Sequence, residues 1–311
     1  MDTYFKKLSI VKFIVLIILS YAVSIAVTGA AMAVNIDPLA PYMANGTWLI
    51  FLSSLGLYGG MMVLLWGISL DRHDRSGIFS KAPARSRSNS LFLLAPFSLG
   101  ILFNLIYINL LSKFFPNFLE AMLGAGNLSA NLKLAEDPIS LALVLIAIVV
   151  LAPVVEEIAF RGIFYNLLNK YMPAFAAAVV SSIAFGFLHG LTFLQTAFMG
   201  MVLVVIYQVT GDLRTAIIAH GLNNALALME AILISSGRIP EGSGLEMYYT
   251  GLMVGVSILV LAAAGVYLFK NHLNRIFQDV TPIYKRGAMS RQGSGLSDGD
   301  ARESGPGQLL P

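Results

Sequence analysis

The sequence predicts an all-α protein, a polytopic membrane bundle of eight transmembrane helices, on three observations. Hydrophobic residues make up 57% of the 311 positions and charged residues only 12%, about half the roughly 25% charged content of a soluble domain. The apolar residues gather into eight runs able to cross a hydrocarbon core of about 30 Å, which takes about 20 helical residues. Lysine and arginine fall mostly on one side of those runs. Lipid offers no partner to an open sheet edge, so the runs are helices.

The first span is predicted over Leu8–Val34. Lys6 and Lys7 before it, and Ala31, Met32 and Ala33 near its end, imitate a secretory signal with a cleavage site. The apolar run exceeds the 7 to 15 residues of a signal, which favours a retained first span over a cleaved leader. The second and third spans are Gly46–Leu70 and Leu91–Leu111. Gly56 with Gly60, and Gly251 with Gly255 in the last span, carry the spacing of close helix packing. The fourth to eighth spans are Ile139–Leu168, Pro173–Gly190, Leu194–Gly211, Leu213–Ile234 and Met247–Phe269.

Four regions follow. Residues 1–138 hold three spans and a basic, Ser/Arg-rich loop at 71–90, which serves as a topology determinant or docks on anionic lipid headgroups. Residues 139–234 hold the four spans that carry intramembrane polar residues, 235–286 the last span and its flank, and 287–311 a Gly/Ser/Asp-rich tail with no apolar period, predicted to be disordered. With the N-terminus inside, only Lys113, Lys133 and Arg238 among 20 lysines and arginines lie outside. The bias puts both termini in the cytoplasm. Cysteine is absent, which removes disulfides, thiolate metal ligands, thiol nucleophiles and lipidation of this chain. Membrane lipid is the expected surrounding partner, and no nucleic-acid partner is expected.

Glu156, Glu157 and Arg161 lie inside the fourth span, where a charge at the bilayer centre costs about 2.5–3.5 kcal/mol on insertion scales. Glu157 and Arg161 are four apart with the acid first, the favourable order for a helical ion pair. Glu156 is turned about 100° from Glu157, so one acid pairs with the arginine and the other is left for a cavity. Pro153 just before them frees a backbone carbonyl. His189 and His220 also lie in spans. Glu156 and His189 sit roughly 21 and 24 Å along neighbouring antiparallel helices, at matching depth. His220 is only about 10 Å into its helix by the same count, a mismatch relieved if the turn before it is sunk below the surface. His220 and Asn224 are four apart and share a helix face. Ser182, seven before His189, reads as a packing serine.

A carboxylate, two histidines and an asparagine in a sheltered cavity suit water activation for acyl hydrolysis. Glu156, Glu157, Ile158, Ala159, Phe160, Arg161 resembles the E-E-x-x-x-R motif of the CAAX-protease and bacteriocin-processing (CPBP, or abortive-infection) family of intramembrane proteases. Phe185 to His189 is similar to its F-x-x-x-H motif and His220 to Asn224 to its H-x-x-x-N motif. The resemblance covers about Ile139 to Ile234. It implies an eight-helix endopeptidase of a prokaryotic cell membrane, like type II CAAX prenyl endopeptidases, that cuts a peptide or membrane-associated protein, in some members prenylated, near the membrane surface. By that resemblance Glu156 activates water, His189, His220 and Asn224 stabilise the oxyanion, and Glu157 with Arg161 supports the site.

A zinc held by Glu156, His189 and His220 is the alternative, although His-Glu-x-x-His is absent and Glu157 would then have to act as base. The metal-free glutamate mechanism is favoured, without a cofactor. A proton-coupled transporter would call for inverted repeats, and no second copy of the Glu156 region occurs in the N-terminal half. A non-enzymatic immunity or scaffold protein would not need the complete polar set.

Overall fold

The computed structural model describes residues 4–33, 47–80, 92–126, 138–236, 238, 244–271 and 283. Among these every regular element is helical. The second half of the basic loop (81–90) and the tail at 287–311 lie outside the described residues.

Helix α1 (Ile10–Ala33) packs along α2, which runs Thr47–Met61 and continues as a π-helix over Met62–Ser69. Gly56 and Gly60 face α1, where a Cβ at Gly56 would lie 2.8 Å from the Ser24 Cα, and Ser24 Oγ donates to the Ser53 carbonyl at 2.7 Å. The expected close packing is found there. Around Gly251 and Gly255 there is open space instead.

Two short helices fall where no span is predicted. Helix α3 (Arg72–Ile78) begins on an Asp71 cap that accepts from Asp74 N at 2.8 Å. After α4 (Ala95–Phe114), α5 (Pro116–Gly126) starts on a proline, whose missing N–H costs nothing in a first turn. Apolar length alone could not find either, because both are shorter than a span.

The fourth predicted span is a continuous helical run, α6, at 138–168, with π-helical stretches at Leu145–Leu151 and Ile158–Phe164. It is the most buried of the long helices and forms the axis of the bundle. Phe13 of α1 stacks on Phe164 at 4.5 Å, and Phe160 meets Phe185 edge-on at 5.1 Å. These rings tie α1 and α6 to α7 (Ala174–Phe187) just beneath the polar residues. A 3-10 turn at Gly190–Thr192 leads into α8 (Phe193–Thr210), then α9 (Leu213–Ser235) and α10 (Gly244–Asn271).

Among the described residues seven helices are long and apolar enough to cross a membrane. The fifth expected span, Pro173–Gly190, is realised as α7, 14 residues long and so about 21 Å. It ends short of a 30 Å core. Its continuation, residues 188–191, is an exposed turn.

Candidate active site

The polar residues meet because α6 departs from regular α-geometry beside a proline. In the first π-helical stretch the Ala152 N–H reaches back five residues to the Ala147 carbonyl. The next bond in that register would run from residue 153 to Ile148, and Pro153 has no N–H to give. Asn224 of α9 fills the gap, its Nδ2 donating to the Ile148 carbonyl at 3.0 Å. The same approach needs Gly221, since a Cβ there would lie 2.9 Å from the Val149 carbonyl.

One helical turn further along α6, the two acids diverge as expected. Glu157 is wholly buried, and its Oε1 accepts from Arg161 at 2.8 Å. Arg161 also donates to the Gly200 carbonyl at 2.9 Å and lies over the Phe185 ring at 4.5 Å. Glu156 faces a cavity of about 460 Å³.

Glu157 does more than balance the arginine. Its Oε1 also accepts from His220 Nδ1 at 2.9 Å, and across the ring His220 Nε2 lies 3.8 Å from Glu156 Oε2. By this contact Glu157 reaches the site as well as the arginine. Neighbouring side chains on a helix diverge, but an imidazole offers a nitrogen on each of two edges and can meet both acids. Because Glu157 already faces Arg161, it accepts the bond, and the His220 proton sits on Nδ1.

His220 reaches this depth because the turn between α8 and α9 is inside the protein. Thr210, Asp212 and Leu213 are all buried, and Gly162 of α6 lies against Leu213 and against Ile78 of α3. Helix α9 therefore starts below the end of the bundle, which removes the mismatch counted from sequence.

His189 is placed at the end of α7 rather than within it, on an exposed turn. Its Nδ1 lies 2.8 Å from the Phe185 carbonyl. A carbonyl only accepts, so this nitrogen carries the proton and Nε2 is left unprotonated in the neutral ring. The same Phe185 ring touches Arg161, His189 and His220, which gives the phenylalanine of the second motif a physical task.

Glu156, His189, His220 and Asn224 all line the one cavity, together with Tyr58, Thr192, Gln195, Thr196, Met199 and Asn223. Asn223 donates to Asn224 Oδ1 at 3.1 Å and to Met199 Sδ at 3.3 Å. Ser181 bonds the Phe160 carbonyl at 3.3 Å, and Ser182 is buried beside it, as suits packing serines. Sequence reasoning missed Tyr58 of α2, whose hydroxyl donates to Glu156 Oε1 at 2.6 Å. A phenol within an apolar helix was the available signal. Among the described residues no three His, Cys, Asp or Glu side chains group as a metal site.

Fold and site define an integral membrane protein of the helical-bundle class, with a carboxylate–imidazole centre between its inner helices. Residues 138–226 match the model of the family described as Type II CAAX prenyl endopeptidase Rce1-like. This Rce1-like domain is under a third of the chain and contains every predicted site residue, and its family is one of CAAX-type membrane proteases. No curated protein and no solved structure matches the chain.

Proposed function

We propose that the chain is an intramembrane endopeptidase that hydrolyses a peptide bond near the membrane surface with a water activated by Glu156. The class of substrate favoured by the Rce1-like segment is a CaaX-type terminus, prenylated in the family's namesake reaction. The observation that carries this reading is the 3.8 Å separation of Glu156 Oε2 and His220 Nε2 on the cavity wall. That distance is too long for a direct hydrogen bond and suits one water touching both.

In the proposed reaction, Glu156 Oε2 takes a proton from the water as its oxygen bonds to the scissile carbonyl carbon. The carbonyl π pair moves onto oxygen. Collapse of the tetrahedral adduct breaks the C–N bond, and the proton held by Glu156 passes to the leaving amine. His220, held by Glu157 through Nδ1, orients the water by accepting at Nε2. Asn224 has a second amide proton, the neutral donor available to the developing oxyanion. His189 and His220 can donate to that oxygen from Nε2 only as imidazolium ions, because their Nδ1 protons are already committed to Phe185 and Glu157.

The test is cleavage of a farnesylated CaaX peptide by purified protein in proteoliposomes. Glu156→Gln should abolish cleavage with the protein still folded, and full activity in that variant would end the assignment. The zinc-dependent alternative predicts loss of activity on exhaustive chelation with a matching loss of bound metal. The metal-free mechanism predicts that the rate is unchanged.

A further inference from the structure

Tyr58 lies outside the Rce1-like segment, and its bond to Glu156 joins the site to a helix that no motif touches. At 2.6 Å it has the length of a charge-assisted O–H···O⁻ bond. Tyr58, Glu156 and His189 also line a second, smaller cavity of about 160 Å³, together with Tyr21 and apolar side chains such as Leu57, Met61 and Phe160. The phenol thus sits where two cavities meet, on the side of the carboxylate away from His220.

A glutamate carboxylate can rotate and exchange its two oxygens. Here Oε1 is held by the phenol, while Oε2 is the oxygen opposite His220 Nε2. We infer that Tyr58 is a positioning residue for Glu156, fixing Oε1 so that Oε2 alone is presented to the reacting water. The inference rests on the reading of Glu156 as the base, but the contact can be tested without activity.

Infrared difference spectra of wild type minus Glu156→Gln isolate the carboxylate stretching bands of Glu156. In a Tyr58→Phe background these bands should move, because one oxygen loses its donor. Unmoved bands would overturn the inference. Should Tyr58→Phe fail to fold, 3-fluorotyrosine at position 58 keeps the ring and strengthens the donor. The same bands should then shift, and no shift is again the refuting result.

Kinetics supply the second arm, using an internally quenched farnesylated CaaX peptide with wild type, Glu156→Gln and Tyr58→Phe side by side. Loss of orientation should lower kcat about 10- to 100-fold with KM unchanged. A wild-type kcat in Tyr58→Phe would refute the positioning role while leaving Glu156 as base intact. Inactive wild type would count against the proposed function, and the infrared bands would still decide the contact.

Discussion

At the scale of residues, His220 is the pivot, since its two ring nitrogens face the two acids. Replacing Glu157 by Gln keeps an oxygen for Nδ1 to donate to but removes the charge that Arg161 faces. Activity should fall while substrate binding holds, seen as lower kcat at constant KM. Arg161→Ala is the harsher change. It strands a buried carboxylate, and breaking a buried pair costs about 3–5 kcal/mol, so a large drop in thermal stability in detergent should come before any kinetic effect can be read. Glu156 was legible in the sequence because an adjacent acid was already assigned to the arginine by the four-residue spacing. Tyr58 was not, because the contact spans 98 positions and tyrosine in an apolar run has no periodicity to mark it. The second bond of Glu157 was hidden for a related reason: helix geometry says where a side chain starts, and only the facing helix says which nitrogen it meets.

At the scale of elements, α6 and α9 are locked by a carbonyl that a proline sets free. Pro153→Ala restores an N–H able to compete for the Ile148 carbonyl. Asn224 should then lose its hold, lowering activity with folding intact or slightly strengthened. Gly221→Val pushes a side chain toward the Val149 carbonyl and should cost about 1–3 kcal/mol by overpacking, measured as a lower melting temperature. On α3, Asp74 accepts from the Phe5 N–H at 2.8 Å, and burial pushes its carboxyl above the ordinary range, more than that bond lowers it. The folded state therefore holds this proton more tightly than the unfolded chain does. The site's contribution to stability is full below the ordinary carboxylate value and declines as pH rises past it. Asp74→Asn should flatten the pH dependence of melting in that range. The proline was visible in sequence as a break. Its partner was not, since a freed carbonyl does not name its donor.

At the scale of the whole molecule, eight apolar runs became seven long helices and one short one, and charge bias predicts which ends share a side. The lack of cysteine makes that easy to check: single cysteines at Lys170 and Arg214 should react with an impermeant maleimide from the same side as one at Lys7, and one at Lys113 from the other. Reaction of all four from one side would refute the topology.

The brevity of α7 has a consequence for the lipid itself. Its exposed end carries a histidine and a tight turn whose carbonyls are held locally, that of Leu188 by the Tyr21 hydroxyl and that of His189 by Thr192. An apolar stretch shorter than the hydrocarbon core draws the bilayer thinner around it, which on the proposed reading of the site would bring solvent toward Glu156. Shorter acyl chains relieve the mismatch, so turnover in liposomes should rise as the lipids are made thinner and fall as they are made thicker.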